Sequence, residues 1–345
     1  MKNFPFKHFP SGWFQVAWSG DLQPGDVKPV HFFDMDFVLF RTESGKAALL
    51  EAYCAHMGAH LGHGGKVVGE SVACPFHGWQ YAAESGKLVE IPYSERCPSQ
   101  TVRKWEIRES MGMVLMWHDA EGAPPQWDPP AWPEAESDDY YRGPESRTEF
   151  VTRTQPQMVI ENIVDAAHQK FIHGATNITS FDEAKPDGHV FRVLQHVILG
   201  EGKKKTWLTD KPTPATMHIE GWGLGIGLVN FVDTDGAVII HTSTPIDHEK
   251  CAMFTAMLVR KTPKSFVNGE LTKFGKKRIA VHFKQVAADI PVWDNMSYVL
   301  FPPFAGVEVP TFAVFRKWTE QFYPESDRKL IDDLRPGKVK RAANA

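Results

Sequence analysis

The chain has 345 residues, 42% of them apolar and 23% charged, which is enough for two domains with separate cores and unlike a disordered composition. A net charge of −4 leaves no overall basic field and argues against nucleic acid as the main partner. No run of about 18 apolar residues predicts a membrane span, and the opening MKNFPFKHFPSGWFQV lacks the apolar stretch of a signal peptide, so a cytoplasmic location is expected.

From Trp13 to about His118, short β-rich runs (WFQVAW, FVLF, ALLEAYC, KLVEIP, MVLMWH) alternate with turns. The tetrapeptide ESGK occurs twice, at Glu43–Lys46 and Glu84–Lys87, where glycine supplies the positive φ of a tight hairpin. This half is predicted to be all-β. Within it stand Cys54-x-His56, 17 intervening residues, and Cys74-x-x-His77. Two thiolates and two imidazoles suit a structural zinc ion. One Cys and one His from each of two loops also suit a Rieske [2Fe–2S] centre, and Gly58, Gly64, Gly65 and Gly78 let backbone N–H groups come close to cluster sulfurs. Cys97 and Cys251 lie outside the motif and are expected to be ordinary buried thiols. His60 and His63 are expected to be polar loop residues.

Prolines and acidic residues in DAEGAPPQWDPPAWPEAESDDYYRGPES predict a linker without regular structure. The domains are therefore expected at 10–120 and 147–335, with 121–146 between them. The second begins with a helical segment around Gln157–Phe171, containing Glu161, Asn162, Asp165, His168 and His173. Asp165 and His168 share one face of a helix. His173 lies about 140° further round than His168, so joint metal ligation requires the helix to break or distort, with Gly174 as a terminator. Alternating runs follow, TMHIEGWGLGIGLVNFV and AVIIHTSTPI, then CAMFTAMLVRK. Gly221, Gly223, Gly225 and Gly227 are expected on one face of one strand, serving close packing or clearance for a bulky ligand. A helix from about Ser265 to Trp293 gathers Ile279, His282, Val286, Asp289 and Trp293 on one face. A carboxylate on that apolar face is unexpected. This half is α+β, a largely antiparallel sheet with flanking helices.

The sequences C-x-H with C-P-F-H-G-W, and E-N-x-x-D-x-x-H-x4-H, resemble the two iron motifs of Rieske ring-hydroxylating oxygenases. PSGWFQVAW, GKLVEIPYSER and FRKWTEQFYPE resemble the oxygenase component of the 3-ketosteroid 9α-hydroxylase and cholesterol 7-desaturase group, so the likeness spans almost the whole chain. It implies an all-β Rieske domain followed by a helix-grip-like catalytic domain. By it, Cys54 and Cys74 hold one iron of the cluster, and His56 and His77 the other. Respiratory Rieske proteins add a cysteine to each loop; Phe76 and the residues around Ala59 stand there instead, so no disulfide is expected.

The resemblance also implies that His168, His173 and a downstream carboxylate bind mononuclear Fe(II), with O₂ as co-substrate. Asp289 is the choice, being on the inward helix face, and Asp294 the runner-up. Asp165 is expected to be catalytic, fixing the tautomer of His168 and bridging to His77 of a neighbouring subunit, which implies a homotrimer. No flavin or nicotinamide motif and no plant-type cysteine set is present, so a separate ferredoxin reductase-type donor is implied. The basic runs Lys203–Lys205 and Lys276–Arg278 are either docking points for it or solvated faces.

The implied activity is O₂-dependent hydroxylation of a steroid or a similarly bulky apolar molecule, with Met158, Trp222 and Phe231 as candidate cavity walls. Desaturation, demethylation and aromatic dihydroxylation use the same irons. A non-enzymatic electron carrier would lack the second iron.

Overall fold

The computed structural model describes residues 4–174, 181–199 and 213–335. They fall into two compact units: Phe14–Trp117 with Pro124–Pro129, and a second unit that gathers the chain up to Trp13, His118–Ala123 and everything from Pro130 onward.

The first unit is all-β. Its strands are β1 (Gly12–Trp18), β2 (Val27–Phe32), β3 (Met35–Arg41), β4 (Ala47–Glu51), β5 (Lys66–Val68), β6 (Ser71–Ala73), β7 (Gln80–Ala82), β8 (Leu88–Glu90), β9 (Ile107–Ser110) and β10 (Met113–His118). They form three small sheets, ordered β1-β10-β9, β2-β3-β4 and β5-β6-β7-β8. The expected strands are present. β2 was not predicted, because Pro29 interrupts its pattern; its position at a sheet edge tolerates a missing N–H. The turn into β3 runs through Phe33 and Asp34 at φ 58° and 56°, left-handed backbone without the glycine that would have flagged it. Both ESGK turns do place their glycines at positive φ, 92° for Gly45 and 67° for Gly86.

Arg41 ties this unit together. Its guanidinium donates to the carbonyls of Leu22 (2.6 Å), Gly45 (2.7 Å) and Ser19 (3.3 Å), and pairs in fork geometry with Glu109 at 2.7 and 3.0 Å. Every donor direction of a nearly buried cation is thus met.

The second unit carries α1 (Pro133–Glu136), β11 (Tyr140–Tyr141), β12 (Arg147–Thr152), α2 (Pro156–Ile160), α3 (Ala166–Phe171), β13 (Glu183–Asp187), β14 (Val190–Leu199), β15 (Thr213–Trp222), β16 (Ile226–Phe231), β17 (Val238–Pro245), β18 (Cys251–Arg260), β19 (Phe266–Val267), β20 (Glu270–Leu271), α4 (Lys273–Asn295), α5 (Val314–Thr319) and α6 (Glu325–Leu334). An eight-stranded sheet runs β11-β18-β17-β16-β15-β14-β13, with β12 also paired to β18, and every pairing whose register is given is antiparallel. Part of the stretch expected to be an unstructured linker is therefore folded: α1 and β11 belong to this unit, and Tyr140 pairs with Arg260. The chain start joins the same unit, where Phe6 stacks on Tyr323 at 3.5 Å and Asp327 accepts the N–H groups of Lys7 and His8.

The four glycines do not share a strand. Gly221 ends β15 and Gly227 opens β16, directly paired, while Gly223 (φ 55°) and Gly225 lie in the hairpin between them. A Cβ at Gly221 or Gly227 would sit 3.0 Å from Ile163 or Ile160, so the short helical segment after β12 packs against bare backbone. The long helix starts at Lys273 rather than near Ser265. Asn268 and Gly269, both at positive φ, close the β19/β20 hairpin in front of it, a two-residue turn that the Asn-Gly pair signals. The predicted inward face of α4 is observed, with Ile279, His282, Val286, Asp289 and Trp293 all buried. No helix among the described residues is long and apolar enough to cross a membrane.

Arg41→Met is expected to lower the stability of the first unit by about 3 kcal/mol, since it leaves Glu109 and three carbonyls without their donor. The Glu109 carboxyl is held below its ordinary pKa chiefly by Arg41. Its contribution is thus present above the usual carboxylate range and fades as pH falls through it, a slope that denaturant melts of the mutant should lack.

Candidate metal centres

In the first unit, two loops of matching geometry present the Cys and His residues. Cys54 N–H donates to Ala59 O, and Gly58 N–H to Cys54 O; in the same pattern Cys74 N–H donates to Trp79 O, and Gly78 N–H to Cys74 O. Gly58 and Gly78 carry φ of 73° and 72°, which a side chain would strain. The two thiols are buried and belong to one apolar cluster with Leu61, Val72, Trp79 and Tyr81. The imidazoles lie outward: His56 is exposed and His77 half-buried, their rings 4.7 Å apart, with His56 stacked on Trp79 at 4.4 Å.

This arrangement sorts sulfur to the inside and nitrogen to the outside in pairs. A single tetrahedral zinc needs four donors converging on one point. Among the described residues, the one group of three or more His, Cys, Asp or Glu donors lying within 4.8 Å of one another is elsewhere. Two irons, one held by sulfur and one by imidazole, fit the pairs. Burial pushes the Cys74 thiol above its ordinary pKa, so metal charge must stabilise the thiolate.

Tyr81, which the motif does not include, reaches the cluster site. Its oxygen accepts the Ala55 N–H at 3.0 Å and lies 3.2 Å from Cys54 Sγ. With the backbone donor on its lone pair, its own O–H is directed at the sulfur once that is a thiolate. Alternation along β7 from Trp79 is the sequence signal that could have found it. His60 Nδ1 accepts the Gly62 N–H at 3.0 Å, a bond within its own loop. Cys251 is buried as expected, whereas Cys97 is exposed.

In the second unit, the segment expected as one helix breaks. α2 passes into a 3₁₀ turn, Glu161–Val164, and stops at Asp165, whose carboxylate caps α3 by accepting His168 N–H at 3.0 Å. α3 ends before Gly174, at φ 76°. The donor atoms of His168, His173 and Asp289 come within 4.8 Å of one another, with His173 Nε2 at 3.4 Å from Asp289 Oδ1. His173 Nδ1 is buried with no hydrogen-bond partner. Two imidazoles and a carboxylate gathered this closely are a donor set that fits a metal ion.

The tautomer of His168 is set by Asp165, but not through the carboxylate as expected. The side-chain oxygen, committed to the helix cap, lies 3.9 Å from Nδ1, whereas the Asp165 main-chain carbonyl lies at 2.5 Å. A carbonyl only accepts, so Nδ1 carries the proton and Nε2 keeps its lone pair. Burial moves His168 below its ordinary pKa and keeps that lone pair free at neutral pH. Asp294, the alternative carboxylate, is engaged elsewhere, accepting from Thr152 Oγ1 at 2.8 Å and Arg153 N–H at 2.7 Å. Glu161 pairs with Arg316 at 2.5 Å and so fastens α5 to the ligand segment.

Cavities meet the His168–His173–Asp289 group. One, of about 180 Å³, is lined by apolar side chains including Val197, Met217, Ile239, Phe231 and Trp293. A second adjoins His168 and Asp289 with Asp165, Glu161, Met158 and Arg316. Of the candidate walls, Phe231 lines the apolar cavity and Met158 the second; Trp222 lines neither and donates to Glu220. Of the basic runs, Lys203–Lys205 lie outside the described residues. Lys276–Arg278 is not a free cationic face: Arg278 is buried and pairs with Asp235 at 2.8 Å, and Lys276 meets Glu145.

Comparison with known proteins agrees with both halves. Residues 12–106 match the Rieske [2Fe-2S] domain and residues 116–323 the 3-ketosteroid 9alpha-hydroxylase C-terminal domain. The chain is 31% identical to cholesterol 7-desaturase nvd 2 of Ciona intestinalis over 97% of its own length and 77% of that protein. It is 27% identical to a 3-ketosteroid-9-alpha-monooxygenase oxygenase component of Rhodococcus rhodochrous, over 96% and 84%. Among solved structures, NdmA of Pseudomonas putida CBB5 with caffeine superposes with a TM-score of 0.70 at 17% identity, covering 89% of each chain, a likeness of fold.

Asp289→Ala is expected to lower iron content from about three to about two atoms per chain and to leave the cluster's visible spectrum intact. Iron analysis beside spectroscopy checks this; three irons in the mutant would place the ligand on another carboxylate. Tyr81→Phe is expected to lower the cluster's midpoint potential by about 40 mV, the equivalent of one hydrogen bond of about 1 kcal/mol, read by redox titration.

Proposed function

Because the chain belongs to the Rieske oxygenases with a 3-ketosteroid 9α-hydroxylase-type catalytic domain, we propose that it is the oxygenase component of a monooxygenase. It hydroxylates a steroid or a similarly bulky apolar substrate with O₂, using electrons from a separate ferredoxin reductase-type donor. The observation that carries this is the meeting of His168, His173 and Asp289 at the wall of an apolar cavity. The cluster and the mononuclear iron, when bound, supply electron storage and reductive activation of O₂.

The chain's residues do the rest. In this proposal Cys54 and Cys74 hold the inner iron of the cluster, and His56 and His77 the outer one. His168, His173 and Asp289 would hold the mononuclear iron. The apolar walls exclude water and hold a C–H bond close to those three residues. Asp165 acts by placing His168: its carboxylate starts α3 and its carbonyl fixes the ring.

A homotrimer, in which Asp165 of one copy approaches His77 of the next, and a cytoplasmic location belong to the same proposal. The partly exposed side chain of Asp165 and the outward cluster imidazoles support the first.

With a ferredoxin-type reductase and ¹⁸O₂, the iron-loaded protein is expected to consume O₂ in the presence of 3-ketosteroids or sterols and to leave one labelled oxygen in the product. An unlabelled, unsaturated product would move the assignment to desaturation. No stimulation by any steroid would remove the substrate class and leave the iron sites standing.

A further inference from the structure

One polar stretch of the cavity wall, which the metal group does not use, carries His241, His282 and Gln285; Asn162, Gln169, Thr242 and Ser243 also line the cavity. Thr255 on β18 faces His241 on β17 in register, and its Oγ1 lies 3.0 Å from His241 Nδ1 and 2.9 Å from His282 Nε2 on α4. The two rings are 5.0 Å apart. A hydroxyl has one proton, so Thr255 donates to one imidazole and accepts an N–H from the other. Whichever way it turns, the free nitrogen of one ring is then a donor and that of the other an acceptor. The chain can therefore meet either a carbonyl or a hydroxyl group.

Gln285 adds a second feature. It lines the same cavity, and its Nε2 is buried with no acceptor. A buried donor without a partner costs about 1–3 kcal/mol, a cost that turning the side chain toward an oxygen atom in the cavity would remove. His241 and His282 also line the cavity, and no Lys or Arg does among the described residues. Burial holds His241 down at about 4 and His282 well below its ordinary value, so both rings are neutral at physiological pH. The wall offers hydrogen bonds and no positive charge, which favours a neutral oxygen over a carboxylate.

We propose that His241, His282 and Gln285, with Thr255 bridging the two imidazoles, form a polar subsite that binds a neutral carbonyl or hydroxyl oxygen of the substrate and thereby selects the carbon presented to the metal group. The proposal rests on the apolar cavity being the substrate cavity. Gln285 and His282 precede Asp289 on α4 by four and seven residues, roughly 6 and 10 Å along the axis.

Calorimetry on the full iron-loaded chain tests this with two matched ligand series, one tetracyclic and one bicyclic, each as ketone, alcohol, parent hydrocarbon and carboxylate. In at least one series the ketone and alcohol are expected to bind about 10–100-fold more tightly than the hydrocarbon, the equivalent of one or two hydrogen bonds, and the carboxylate more weakly than the ketone. Gln285→Leu and Thr255→Val, each checked for unchanged iron content and melting behaviour, should each remove most of that preference.

Equal binding of hydrocarbon and ketone by the wild type, or an undiminished preference in a folded Gln285→Leu protein, overturns the proposal. So does failure of every oxygenated ligand to bind. Discrimination in the bicyclic series alone keeps the subsite and rejects steroid size, which separates this test from that of the activity.

Discussion

The second metal group depends on where a helix is made to stop and start. Two histidines five residues apart cannot face one ion from a regular helix, and Asp165 and Gly174 set the limits of the short turn that lets them do so. Asp165 acts with both of its oxygen types. The side chain accepts the His168 N–H at the start of α3, and the main chain orients the His168 ring. Asp289 then arrives from a long helix whose apolar face is otherwise an ordinary packing surface, with Val286 and Trp293 buried against Val159, Cys251 and Met253. Burying three ligand groups together is costly without a cation between them, because two imidazoles and a carboxylate are largely removed from water there.

The cluster site solves a related problem by different means. Its thiols are built into the core of the β unit and its imidazoles are turned outward, so an iron held by the thiols would be shielded and one held by the imidazoles would lie near the surface. The two loops repeat one hydrogen-bond pattern with a glycine at the same place in each, which holds two pairs of donors apart in the way a two-iron centre requires. Tyr81 links this geometry to redox tuning, since a hydrogen bond to a cluster sulfur favours the reduced state.

The cavity joins these parts to a substrate. Its walls come from β14 to β18, α2 and α4, and the bare backbone at Gly221 and Gly227 lets the helical segment that carries Ile160 and Ile163 lie close against the sheet. Neutral, buried imidazoles bridged by a threonine hydroxyl give that cavity a direction: one end is metal-ligating and one side hydrogen-bonding. Shape alone would hold a rigid apolar molecule in several orientations. A polar anchor selects among them.

The sequence by itself determined the chemistry. Ligand types and short spacings such as C-x-H and D-x-x-H are local, and the inward placement of Asp289 followed from helical periodicity because α4 is long and its apolar face continuous. It also carried the all-β and α+β division. Tertiary structure decided what local pattern could not. The alternating glycines look like one strand in sequence, yet pairing of Gly221 with Gly227 makes them a hairpin. The proline-rich stretch before residue 147 looks like linker, yet β11 finds a partner at Arg260, more than a hundred residues away. His241, Thr255, His282 and Gln285 carry no motif at all. They come together because two paired strands and a helix cross at one place, and no rule of spacing along the chain encodes a meeting of side chains that only packing brings within hydrogen-bond distance.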